Sequence, residues 1–172
     1  MGREGSGNAV AGAEDVNGDG YADVLVAAAS ALTATGRVYL YLGSATGLST
    51  AAATVLTGPD GTLSNFGVSI GSAGDVNGDG YADVVVGADR VGSFAGRVPL
   101  PRRRVGALDH CLGDPHGRGR TDGNLGASVA GVGDLNRDGY ADLAAYSYHA
   151  TLGGRCGSTR AARQAWSPRA PR

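Results

Sequence analysis

The 172-residue chain carries 15 basic and 16 acidic side chains, a net charge of −1, so nothing global favours nucleic acid or an acidic partner. Its 31 glycines and 6% aromatic content suit many short strands joined by tight turns better than long helices. No apolar run approaches the length of a membrane span, and the start, Met1-Gly2-Arg3-Glu4-Gly5-Ser6-Gly7, lacks the apolar stretch of a secretory signal.

Taken in chain order, Ser6-Gly7-Asn8-Ala9-Val10 reads as a short strand of alternating apolar character. An acidic loop follows, Asp15-Val16-Asn17-Gly18-Asp19-Gly20-Tyr21-Ala22-Asp23. Val24-Leu25-Val26-Ala27 is an apolar run fit for a buried strand, and the stretch from Gly36 to Gly43 is a third strand between glycines. Ala52–Thr57 makes a fourth. The series then recurs. Phe66–Ile70 leads to the loop Asp75–Asp83 and the run Val84–Ala88; Leu125–Val129 leads to the loop Asp134–Asp142. The loops begin at residues 15, 75 and 134, and a near-constant period of this size marks a repeat architecture. Four short strands in about 60 residues, as in the first repeat, make one propeller-like blade. The expected fold is all-β: an incomplete β-propeller of about three four-stranded blades, spanning 1–60, 61–120 and 121–172, the third damaged.

The loops carry the candidate chemistry. Positions 1, 3, 5 and 9 are Asp15, Asn17, Asp19 and Asp23 in the first loop and Asp75, Asn77, Asp79 and Asp83 in the second. In the third they are Asp134, Asn136, Asp138 and Asp142. Calcium takes six to eight oxygens, and the EF-hand supplies them from positions 1, 3, 5 and 7, the last by a backbone carbonyl, with glycine at 6 for the turn. Here position 6 is glycine, and position 7 is Tyr21, Tyr81 or Tyr140. The plainer reading is that Asn-Gly and Asp-Gly merely make turns. Against it, two carboxylates about 4 Å apart repel by roughly 1 kcal/mol in water and about 4 kcal/mol at an effective dielectric of 20. Three carboxylates per loop are a cost a plain turn has no reason to carry three times, and a cation reverses its sign. Up to three calcium ions are expected, one per loop. The third loop is the exception, since Arg137 replaces glycine and brings a positive charge beside the site. The tyrosine rings read as packing or covering the loop, and Asp60 and Asp89 as solvated turn residues.

Phe66-Gly67, the loop 75–83 and Gly87-Ala88-Asp89 resemble the FG-GAP repeat of integrin α propellers and many bacterial extracellular proteins. The first repeat has Ser6-Gly7 for the leading pair and Ala27-Ala28-Ala29 for the trailing triplet; the third has Leu125-Gly126. The resemblance covers residues 1–97 and 121–143. It implies a propeller blade with calcium held between its first two strands and an extracellular or cell-surface setting. Further blades and a protein or glycan ligand are the implied partners. The leading functional expectation is a non-enzymatic calcium-stabilised scaffold; the alternative is the accessory propeller of a larger secreted hydrolase. A dockerin-like module would follow each loop with a helix, whereas here β-branched runs follow.

Two stretches break the repeat. Gly96-Arg97-Val98 matches Gly36-Arg37-Val38, but Pro99-Leu100-Pro101-Arg102-Arg103-Arg104 follows where a strand is due, and proline brings no N–H to a ladder. The pattern fails again after Leu143. Residues 98–120 and 144–172 are therefore expected to be out of frame relative to the ancestral repeat and poorly ordered. They hold Cys111, Cys156, His110, His116 and His149, whose spacing matches no structural zinc site. The three successive arginines lack the interleaved aromatics of a nucleic-acid surface.

Overall fold

The computed structural model describes residues 9–58, 61, 63–90, 98–101, 108–112, 123–149 and 155–159. The strands are β1 (Ala9–Glu14), β2 (Asp23–Ala28), β3 (Arg37–Tyr41), β4 (Thr54–Thr57), β5 (Ser69–Gly74) and β6 (Asp83–Gly87). After them come β7 (Val98–Pro101), β8 (Leu108–Leu112), β9 (Gly123–Gly133), β10 (Asp142–His149) and β11 (Arg155–Thr159). β1 to β4 form one antiparallel meander in sequence order, the four-stranded blade expected of the first repeat. β5 pairs with β6, β7 with β8, and β10 lies between β9 and β11. This is the architecture of a partial β-propeller.

Strands alternate their side chains between two faces, and the blades use both. In β6, Val84 and Val86 pack into a core with Ala13, Leu25, Ala27, Val38 and Leu40 of the first blade and Phe66 of their own repeat. Val85, between them, packs the other way, against Val129, Leu143 and Ala145 of the third blade. The middle strand is consequently buried along its whole length, whereas β2 buries only Leu25 and Ala27 among its central residues and leaves Val24 and Val26 half-exposed.

Three features depart from the sequence reading. The strand before the second loop runs later than expected, Ser69–Gly74 in place of 66–70, with Gly71 and Ser72 paired to Val85 and Val84. Second, a turn at Ala31–Ala34 interrupts the β2–β3 connection with Leu32, Thr33 and Ala34 at φ of 52°, 58° and 57°. That strained turn is pinned by the second repeat: Leu63 and Asn65 donate backbone N–H groups to the carbonyls of Thr33 and Ala34, at 3.1 and 2.9 Å. Third, strands occupy parts of both stretches expected to be poorly ordered. β7 and β8 form a hairpin, β10 continues past Leu143 to His149, and β11 pairs with it. β7 lies close to β6 but no ladder joins them, consistent with the missing N–H groups of Pro99 and Pro101. Asp60, the arginines at 102–104, His116 and the chain beyond 159 lie outside the described residues.

Candidate metal-binding loops

Each acidic loop joins the first two strands of a blade, and its first aspartate organises it. In the first loop Asp15 Oδ1 accepts the backbone N–H of Gly18 at 2.7 Å and of Asp19 at 3.1 Å, while Oδ2 accepts that of Gly20 at 2.8 Å. Asp75 repeats all three bonds with Gly78, Asp79 and Gly80, at 2.6, 3.1 and 2.9 Å. Asp134 takes the N–H groups of Asp138 and Gly139. These donors, Gly20 and Gly139 foremost, hold the Asp15 and Asp134 carboxyls below the usual carboxylate range. The third and fifth positions wind the loop further: Asn17 Oδ1 accepts from Asp19 N–H, and Asp19 Oδ1 from Tyr21 N–H. The second loop has the same pair of bonds.

The ninth position behaves differently. Asp23, Asp83 and Asp142 are buried at the foot of the second strand. Each accepts the backbone N–H of loop position 2: Val16 at 2.9 Å, Val76 at 3.0 Å and Leu135 at 2.9 Å. This aspartate is a clamp that closes the loop whether or not it meets a cation. Around it the loops diverge. Asp23 Oδ1 also accepts Gly43 N–H, and the Asn17 amide donates to Asp19. In the second loop the Asn77 amide donates to Asp83 instead. Burial foremost, with the Asp79 and Asp75 charges adding, pushes the Asp83 carboxyl up to about 6.

These oxygens suit a hard cation by type. Each carboxylate oxygen has two lone pairs, and the loop bonds leave capacity on Asp15 Oδ2, Asn17 Oδ1 and both oxygens of Asp19. Among the described residues, however, no three carboxylate, imidazole or thiol side chains form a ready-made metal cage. The loops are wound around backbone N–H groups, and the fit is one of donor chemistry and spacing.

The loops also touch one another, which spacing alone did not reveal. Ala82 N–H donates to the Asp15 carbonyl at 3.2 Å, and Ala141 N–H to the Asp75 carbonyl at 2.9 Å. The rings, expected to pack on or cover the loop, lie against the preceding one: Tyr81 over Gly18 and Tyr140 over Gly78. The recurrence of Gly at position 4 and Tyr-Ala at 7 and 8 was the available signal. Asp89, expected to be solvated, is buried and accepts the Asn65 amide at 3.1 Å.

Two family models match this chain, an FG-GAP-like repeat over residues 15–86 and an FG-GAP repeat over 125–162. The chain is an FG-GAP repeat protein. The second match runs past Leu143, in line with β10 and β11. Among similar proteins, integrin alpha-4 of Xenopus laevis is 32% identical over 139 residues, 77% of this chain. Integrin alpha-PS5 of Drosophila melanogaster is 34% identical over 152 residues, and integrin alpha-8 of Mus musculus 34% over 142, covering 77% and 75% of this chain. The FG-GAP chain spans only 13% to 14% of the length of these relatives.

Proposed function

We propose that this FG-GAP chain is a calcium-stabilised propeller segment of an extracellular or cell-surface protein, acting as a structural and binding scaffold and not as an enzyme. The observation that carries the reading is the stack of acidic loops. Three loops of one pattern stand along one rim of the blades, joined by the Ala82–Asp15 and Ala141–Asp75 backbone bonds. Calcium would sit in each loop between positions 1, 3, 5, 7 and 9. It would oppose the clustered charge of Asp15, Asp19 and Asp23, of Asp75, Asp79 and Asp83, and of Asp134, Asp138 and Asp142. The likeness to integrin alpha subunits supports a cell-surface setting and a protein partner, with further blades as neighbours. Metal bound only by the folded state adds to stability by mass action. Calcium titration by calorimetry on the full chain, with thermal melts in calcium and in chelator, tests this. Saturable uptake with a higher Tm in calcium is expected; no uptake, or a Tm indifferent to chelator, would overturn it.

A further inference from the structure

Two peptide units in series connect the second loop to the first, and the third to the second. The backbone N–H of Ala82, position 8 of the second loop, donates to the Asp15 carbonyl at 3.2 Å. That carbonyl belongs to the same peptide as the Val16 N–H, which donates to Asp23 Oδ2 at 2.9 Å. The next pair of loops repeats the chain: Ala141 N–H to the Asp75 carbonyl at 2.9 Å, then Val76 N–H to Asp83 Oδ2 at 3.0 Å. Val16 and Val76 are each only 5% exposed, so the second bond of each chain is shielded from water.

Both ends of this relay fall on candidate metal ligands. The peptide that presents the Ala82 N–H also carries the Tyr81 carbonyl, and that of Ala141 carries the Tyr140 carbonyl. Position 7 is where an EF-hand loop supplies a backbone carbonyl. No described peptide is cis, so the carbonyl and N–H of each planar unit point in opposite directions. The N–H reaches the preceding loop and the carbonyl faces away from it. The Tyr81 and Tyr140 rings lie against Gly18 and Gly78, steadying the same residues from a second side. At the far end stands the ninth-position aspartate that clamps the preceding loop shut.

The sign of the coupling follows from polarisation. A cation on the Tyr81 carbonyl draws electron density out of that peptide and makes the Ala82 N–H a stronger donor. The Asp15 carbonyl, held more firmly, does the same for the Val16 N–H, because hydrogen bonds in a chain strengthen one another. The last bond, to a carboxylate, is of the strong charge-assisted kind.

We propose that calcium in one loop tightens the clamp of the preceding loop through this two-peptide relay, from the second loop to Asp23 and from the third to Asp83. The coupling rests on calcium occupying the loops as proposed, and adds a regulation between them. The test is amide hydrogen exchange by NMR on the full chain, at saturating calcium and in chelator. The variants are Asp19→Ala alone, with Asp79→Ala, and with Asp138→Ala; circular dichroism checks that each folds. Asn in place of Ala keeps the acceptor for the position-7 N–H and provides a second set. Removing Asp19 silences the first loop's own metal, so a calcium response at Val16 must arrive from another loop. In Asp19→Ala, calcium should slow Val16 exchange at least about fivefold, beyond any change at Val38 and Leu40 of β3. Adding Asp79→Ala should abolish the slowing, and adding Asp138→Ala should leave it. Calorimetry on the same samples separates the two levels. Absence of calcium uptake would remove the calcium reading and the relay with it. Uptake with Val16 unresponsive, a slowing shared equally by the β3 amides, or one that survives Asp79→Ala would overturn the relay alone.

Discussion

The backbone N–H of Gly43, just past the end of β3, donates to Oδ1 of Asp23 at 2.9 Å, tying the third strand of the first blade to the last position of its acidic loop. The approach is close enough that a Cβ on Gly43 would collide with the Ala22 carbonyl. Gly43→Ala should therefore displace the donor and leave a buried carboxylate oxygen short of a partner. A loss of about 1–3 kcal/mol is expected, read as a lower urea midpoint at unchanged slope.

Glu14 offers the opposite change. It sits at φ 58° beside the bulge that ends β1, where the second and third blades have Gly74 and Gly133 at 67° and 71°. A left-handed backbone costs an ordinary residue about 1–2 kcal/mol, part of which glycine returns as chain entropy. Glu14→Gly should raise stability by up to about 1 kcal/mol, measurable as a higher Tm.

Gly18 and Tyr81 should be energetically coupled. Gly18→Ala forces a positive φ on alanine, at about 1 kcal/mol, and also pushes the Tyr81 ring aside. Tyr81→Ala relieves the second effect but not the first. In a double-mutant cycle the pair should cost less than the two single changes together; strict additivity would mean the ring and the glycine do not meet.

Within the loops, Asp19→Ala and Asp79→Ala should each lower the number of bound calcium ions by one while leaving the three N–H bonds to Asp15 or Asp75 in place. Asp15→Ala removes those acceptors as well. It should lower the Tm in chelator by more than Asp19→Ala or Asp79→Ala, which remove fewer of the backbone N–H acceptors that wind the loop.

In chelator the pH dependence has a definite sign. A carboxyl raised to about 6 in the folded chain, as Asp83 is, keeps its proton over a range where the unfolded chain has released it. Stability should then fall as pH rises from about 4 to about 6 and level off above. Asp15 and Asp134, held low by their N–H donors, act oppositely: their contribution is present above the ordinary carboxylate value and fades as pH drops through their folded values. Asp83→Asn should flatten the limb between pH 4 and 6 and leave the acid limb unchanged, as read by urea unfolding across pH.

The sequence by itself determined that this is a repeating β protein and where its acidic loops lie. Those features depend on local pattern: a loop motif of fixed spacing, apolar runs after it, and a period that three copies make visible. The expectation that no strand would form at Pro99 did not hold, because β8 supplies a partner for Val98–Pro101 that the local pattern does not show. The strand extensions through Gly71 and past Leu143 were not legible, since glycine, serine and alanine pair in a ladder only when a neighbouring strand supplies the partner. The roles of Gly18, Gly43, Gly78 and the position-7 tyrosines were decided by tertiary structure alone. Each concerns what lies across a gap from the residue, at a distance in sequence of twenty to sixty-three residues, and no local pattern specifies which ring or carbonyl will arrive there.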